Sequence, residues 1–294
     1  MSFTYELKKE ILEKENSKMC CSLAELAGIV AFSSLIKNGT LRIVIENKAV
    51  ASRIIRLMKR TLELQAVIDK KNGGGVRKND VYVITVIQGE KLLEKLGVDG
   101  GIKKKLTEKP CCKKAFLKGA FLGGGSVSDP GKRYHLEFVT SYSELCGDFK
   151  QLLAELGLKA GTISRRGKEV IYFKDCDSIC DVLAMVGVNK GVMEIYEVKV
   201  IKDKKNELNR INNMEVANIY KTADAAANQI KCINKIAEKA GLEALPEALR
   251  KLADVRLKYP DEGLAQLGKR LDPPLGKSGV NHRMRKIIEI SKRY

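Results

Sequence analysis

The feature that most limits what this chain can fold into is an internal repeat: Cys20–Gly97 and Cys111–Gly187 present the same parts in the same order. Each copy opens on a Cys-Cys pair and puts a glycine at the middle of an apolar helix, with an offset of 91 residues from Cys20 to Cys111 and again from Gly28 to Gly119. An alternating strand follows, Leu41–Ile45 and then Tyr134–Phe138. Next comes an amphipathic helix, Ala49–Leu64 and then Ser143–Gly157. A glycine-bearing turn between short strands continues each copy, Asn72-Gly73-Gly74-Gly75 before Val81–Val86 and Arg165-Arg166-Gly167 before Glu169–Phe173, and a short helix closes it. The order α-β-β-α occurring twice predicts two pseudo-symmetric α+β halves. A further strand is expected over Gly191–Val200, finishing a domain of residues 1–201 with repeats at about 20–98 and 111–188.

Charge narrows the function. Lys and Arg number 54 against 36 Asp and Glu, a formal net charge of +18. Such an excess must be balanced by a polyanion or by solvent ions, nucleic acid being the commonest such partner and an anionic membrane surface the second. No run of 18 apolar residues occurs and residues 1–18 are polar and charged, so a cytoplasmic protein that neither spans nor enters a membrane is expected. Eight cysteines stand at 20, 21, 111, 112, 146, 176, 180 and 232, none in a C-x-x-C pair. Cys176 and Cys180 share a helical turn but no second pair faces them, and the expectation is reduced, buried thiols with no metal and no cofactor.

The two opening helices carry the most informative residues. Leu26-Ala27-Gly28-Ile29-Val30-Ala31-Phe32-Ser33-Ser34 and Leu117-Lys118-Gly119-Ala120-Phe121-Leu122-Gly123-Gly124-Gly125 resemble the motif of the LAGLIDADG homing endonucleases, in which small residues let two helices cross closely. That resemblance implies an acidic metal ligand at the end of each motif, where two-metal hydrolysis holds Mg²⁺ and activates water. The position falls on Ser33 in the first motif and Gly124 in the second, and neither replaces a carboxylate. Glu25 lies eight residues before Ser33, about 12 Å along a helix, and Asp129-Pro130 reads as a turn. Gly123–Gly125 reads as a helix end with a permissive turn. The run Lys118–Pro130, with Tyr134-His135-Leu136-Glu137 after it, is similar to the WhiA family of bacterial sporulation and division regulators.

From Lys202 the chain turns basic and asparagine-rich, and Asn209–Thr222 is a second stretch resembling that family. Arg210, Asn213, Asn218, Lys221 and Thr222 suit phosphate and base-edge hydrogen bonds. Against this stands a solvated linker leading into a bundle helix, because Val216, Ile219, Ala223, Ala226, Ile230, Ile233 and Ala237 recur at spacings of three and four. Both readings of this connector, residues 202–240, remain open at this point; Gly241 ends its helix.

Residues 241–294 read as three helices: Leu245–Tyr259, a short Gly263–Leu271, and a last one capped by Ser278 and running to Ile290. Val280, Met284, Ile287 and Ile288 would face inward, leaving Lys277, Ser278, Asn281, His282, Arg285 and Lys286 outward. That is the plan of a helix-turn-helix, whose last helix enters the major groove, although an ordinary three-helix bundle also shows the apolar spacing. The fold expected is therefore α+β, a duplicated LAGLIDADG-like domain followed by an all-α helix-turn-helix domain. The WhiA resemblance spans nearly the whole chain and implies a nucleoid-associated, double-stranded-DNA-binding regulator of sporulation, cell division and chromosome segregation. Two rivals stand beside it: a homing-type endonuclease using unconventional acids, and a scaffold that binds an RNA polymerase sigma factor or another regulator.

Overall fold

In a computed structural model, residues 2–15, 17–37, 39–64, 66–71 and 80–294 are described; the expected Asn72–Gly75 turn lies outside them. Two compact units result, Met1–Lys202 and Asp203–Tyr294.

The first unit is built from two αββαββα repeats. The first repeat contains α2 (Met19–Ser33), β1 (Ser34–Lys37), β2 (Thr40–Ile45), α3 (Lys48–Leu62), β3 (Val67–Lys71), β4 (Val81–Val86) and α4 (Gly89–Leu96), with α1 (Phe3–Leu12) before it. The second contains α5 (Pro110–Gly124), β5 (Gly125–Val127), β6 (Leu136–Thr140), α6 (Ser143–Glu155), β7 (Gly161–Arg165), β8 (Lys168–Phe173) and α7 (Cys176–Met185). Each repeat forms one antiparallel four-stranded sheet, in the orders β1-β2-β4-β3 and β5-β6-β8-β7. The strands pair in equivalent registers: Ile43 faces Ile84 and Phe138 faces Ile171, both pairs fully buried. The expected α-β-β-α order is thus corrected by β1 and β5. Neither is preceded by a turn: Ser34 and Gly125 are each at once the cap of a helix and the first residue of a strand, with extended backbone at φ −101°, ψ 153° and φ −75°, ψ 141°.

Both motif helices sit at the centre of this unit. Eleven residues of α2 are buried, and the helix is apolar on every side, as a helix enclosed by its own repeat and its copy has to be. Small residues make the crossing. A Cβ on Gly28 would meet the carbonyl oxygen of Phe116 and come 2.8 Å from the nitrogen of Ala120, and one on Gly119 would strike the carbonyl oxygen of Glu25. Gly123 and Gly124 belong to the same contact: their Cβ atoms would lie 2.6 Å from the Ile29 oxygen and 2.9 Å from the Phe32 Cβ. The helix does end in this triplet, at Gly124 with Gly125 as its cap, but no turn follows, and Gly123 and Gly124 are there because α2 comes so close. Helix propensity alone favours alanine over glycine by ~1 kcal/mol. Gly119→Ala is nevertheless expected to destabilise the protein by about 1–3 kcal/mol, read as a lower urea midpoint by circular dichroism. An unchanged or higher midpoint would show that the helices separate without cost.

Residues 191–200, expected as a strand, instead begin α8 (Lys190–Ala240). The Glu10 carboxylate caps it, accepting from the backbone nitrogens of Asn189 (2.6 Å), Lys190 (2.8 Å) and Gly191 (3.1 Å). Val192 and Ile195 then face the core at helical spacing, while Met193, Val200 and Ile201 stay exposed. Val192, Ile195 and Val198, which suggested a strand, describe one stripe of a helix, and Val200 falls outside it.

In the second unit, α8 is followed by α9 (Glu247–Lys258), α10 (Leu264–Lys269) and α11 (Lys277–Ser291). Its core joins Ile233 and Ile236 of α8 to Leu249, Leu252, Leu267, Val280, Met284 and Ile287. The long apolar face expected on α8 is corrected: Ala226 and Ile233 are buried and Ile230 is half-buried, but Val216, Ile219, Ala223 and Ala237 are exposed. Within this unit the core packs on α8 only towards its C-terminal end, so the earlier apolar residues have no core to enter. Gly241 ends the helix with a positive φ of 76°.

Candidate nucleic-acid interface

Three α-helices with a short middle one bring α11 to the surface. The turn from α9 into α10 is held by Arg256, only 2% exposed, which donates to the carbonyl oxygens of Pro260 (3.2 Å) and Glu262 (2.7 Å). Arg270 grips the Glu262 carboxylate with two bonds of 2.8 and 2.6 Å and lies 3.7 Å over the Tyr259 ring. Across the second turn, the Leu275 N–H donates to the Gly268 carbonyl at 2.9 Å, and a Cβ at Gly268 would collide with the Leu275 oxygen. That contact fixes where α11 starts. Its N-cap is Gly276, with extended backbone at φ −68°, ψ 160° and a carbonyl that accepts from Val280 at 3.1 Å, and not Ser278 as expected: the chain enters the helix at Lys277, before the serine is reached, and Ser278 stands exposed in the first turn.

At about 100° per residue, Val280, Met284 and Ile287 close one narrow arc of α11, and all three are buried. Ser278, His282, Arg285 and Lys286 lie on the opposite side of the helix, with Asn281 and Lys277 on its flank; Asn281 is half-buried and the others are exposed. Ile288 is half-buried at the edge of the core. Arg283 turns the other way, with its guanidinium 3.5 Å from the Ala248 carbonyl oxygen. Lys277, Arg283, Arg285, Lys286, Lys292 and Arg293 stand against Glu289 as the one acidic residue from 277 to 294. A helix with its core face in protein, one amide and an imidazole towards its N-terminal half and cations around them can present donors to both base edges and phosphates.

The structure divides the candidates between two helices. Arg210, Asn213, Asn218, Lys221 and Thr222 lie on α8, all exposed, interleaved with exposed Leu208, Ile211, Met214, Val216, Ile219 and Tyr220. The Thr222 hydroxyl is occupied by the Asn218 carbonyl at 2.8 Å.

The positions that would carry nuclease carboxylates hold no acid. The Ser33 hydroxyl donates to the Ile29 carbonyl at 2.6 Å, and Gly124 is pressed against Phe32. Glu25 is fully buried, and both its oxygens face Arg53: Nε to Oε1 at 2.9 Å and Nη2 to Oε2 at 3.2 Å, with Lys118 Nζ 3.4 Å from Oε2. Burial pulls the Lys118 pKa below its ordinary value, and Glu25 opposes that shift. Asp129 is exposed and turns back to accept from the Gly131 N–H at 2.8 Å. On the outer side of the sheets, Arg42 and Lys71 of the first stand with Asp69, whereas the second mixes Arg165 and Lys168 with Glu137, Val139 and Val170.

Four of the cysteines expected as reduced, buried thiols stand together in the fold. Cys20, Cys21, Cys111 and Cys112 converge at the N-terminal ends of α2 and α5, with Sγ atoms within 4.8 Å of one another. Among the described residues, no carboxylate joins a comparable group of three or more ligating side chains. The matched Cys-Cys pairs opening both repeats were the signal in the sequence for this convergence.

Comparison with known proteins agrees with this architecture along the whole chain. The WhiA N-terminal LAGLIDADG-like domain matches residues 19–99, the WhiA LAGLIDADG-like domain 113–205 and the WhiA C-terminal HTH domain 208–291. A probable cell division protein WhiA from Alkaliphilus metalliredigens is 37% identical over 312 residues, spanning 100% of this chain and 98% of its own. Another, from Desulfitobacterium hafniense, is 38% identical over 305 residues, spanning 100% and 96%. The crystal structure of full-length DUF199/WhiA from Thermotoga maritima superposes with a TM-score of 0.61 at 28% identity, covering 100% of this chain and 99% of that one. With a duplicated LAGLIDADG-like fold, a C-terminal helix-turn-helix and relatives matched end to end, the chain belongs to the WhiA family.

Proposed function

We propose that this protein is a sequence-specific transcriptional regulator that binds double-stranded DNA and does not cut it, acting on bacterial cell division and, as the wider family resemblance implies, on sporulation and chromosome segregation. Its place would be the cytoplasm, on the nucleoid. One observation carries the reading: off its core arc α11 gathers Lys277, Ser278, Asn281, His282, Arg285 and Lys286, while that inward arc is fully used by the core. The cations set affinity through phosphate contacts, and Asn281 and His282 have the chemistry to discriminate bases. Loss of cutting follows from Ser33 and Gly124, and from a Glu25 whose oxygens are committed to Arg53. The N-terminal sheets then have no cleavage to perform, and Arg210, Asn213, Asn218 and Lys221 add backbone contacts. The test is selection of genomic fragments by the full-length protein at physiological salt. Recovery of a shared sequence is expected; recovery without preference would defeat the proposal.

A second reading has its own support. Leu208, Ile211, Met214, Val216, Ile219 and Tyr220 leave an apolar run exposed on α8, as a surface for a protein partner such as a sigma factor or another regulator would. Fragment selection without preference would favour this scaffold.

A further inference from the structure

We propose that Cys20, Cys21, Cys111 and Cys112 form a closed tetrathiolate site for one structural zinc ion, which ties the two repeats together where α2 and α5 begin. The sulfurs already lie within 4.8 Å of one another. At a Zn–S distance of ~2.3 Å a tetrahedron puts its sulfurs about 3.8 Å apart, so closure asks each thiol to move by no more than rotamer adjustment. A four-iron cluster spreads its thiolates around a larger cage and suits this set less well.

The pairs occupy equivalent positions, the second and third residues of each helix, so the pseudo-symmetry of the fold brings two ligands from each half. Cys21 and Cys112 are buried, while Cys20 and Cys111 are half-buried and give the ion a way in. Surroundings suit an anionic complex. Neither helix has a side-chain N-cap, which leaves backbone N–H groups and the positive helix ends beside the sulfurs. Lys14, Lys114 and Lys118 line a recess that opens on Cys21 and Cys111. Without an ion the crowded thiols resist ionising together: burial, then the neighbouring sulfurs, push Cys21 up to about 11 and Cys112 up to about 12, while the hydrogen bond from Cys21, with a smaller contribution from the charge of Lys18, holds Cys111 below its usual value. Binding would exchange four thiol protons for one Zn²⁺ with no change of oxidation state. Cys21 is twelve residues from Ser33, about 18 Å along the helix, so this site is separate from the position of the nuclease acids.

The test uses the untagged full-length chain, grown with zinc and purified under reducing conditions. Metal analysis is expected to give about one zinc per chain, falling at least tenfold in Cys20→Ser/Cys111→Ser and unchanged in Cys176→Ser/Cys180→Ser. If the first variant does not fold, the wild-type chain still decides: stripped of metal and titrated with Co²⁺, it should develop thiolate-to-cobalt charge transfer and intense tetrahedral ligand-field bands that zinc abolishes. Absence of that spectrum with no zinc retained would overturn the proposal. So would a disulfide joining the 20–21 pair to the 111–112 pair in protein alkylated anaerobically at lysis.

Discussion

Replacing Arg53 by alanine is expected to cost the N-terminal unit about 3–5 kcal/mol, enough to bring a domain of ordinary stability close to unfolding. Arg53 is 2% exposed and makes a two-pronged bond to Glu25, which is fully buried on α2; its Nη1 also lies 2.9 Å from the Glu15 carboxylate. Removing it takes from Glu25 its two-pronged partner, while Lys118, 3.4 Å away, is also committed to the Lys14 carbonyl at 3.0 Å. The loss comes from stranding a charge, not from the worth of the pair, so Arg53→Met/Glu25→Leu should be less destabilised than Arg53→Ala alone. Urea denaturation followed by circular dichroism reads both. Because the chain has two compact units, the transition of the first must be resolved from that of the second. A loss below about 1 kcal/mol would mean that water reaches Glu25, and Glu25 would then be free to act as an acid.

The second large effect is on DNA. Lys277→Ala/Arg285→Ala/Lys286→Ala is expected to weaken binding at least about a hundredfold at physiological salt. The slope of log affinity against log salt should flatten by about one for each phosphate contact removed. All three side chains are exposed and outside the core, so the variant should fold as the parent does. Asn281→Ala is expected to act differently, relaxing sequence preference while leaving the salt slope in place. Fluorescence anisotropy across a salt series distinguishes the two. Equal salt slopes for parent and triple variant would remove α11 from the interface.

Much of this fold could be read from periodicity, and the failures share a cause. The repeat, the amphipathic helices and the buried arc of α11 are local patterns, and they emerged nearly in place. Ser34 and Gly125 pass straight from helix to strand with no turn residue to mark it, so β1 and β5 stayed hidden. Residues 191–200 looked like a strand because the group that makes them helical, the Glu10 carboxylate, comes from about 180 residues away. Ser278 is a good cap by composition, but the cap is set by Gly268 holding Leu275 across the turn. On α8, spacing showed an apolar stripe without showing how little of it would find a partner. For the candidate site, the placement of the six α11 residues off the core arc could be read from helix geometry alone, Asn281 half-buried and the other five exposed. For the cysteine cluster the sequence held a signal, the matched pairs opening both repeats, but the pairs are distant in sequence and meet only when α2 and α5 cross.

Binding and cutting can be read on one gel. End-labelled DNA carrying a selected site, incubated with full-length protein and Mg²⁺ and then lightly treated with a footprinting nuclease, should show a protected stretch in the parent and none in the α11 triple variant. Lanes without the footprinting nuclease should contain only intact strands. A metal-dependent break in those lanes, or protection that survives loss of the α11 cations, would contradict a protein that holds DNA through its last helix and has given up cleavage.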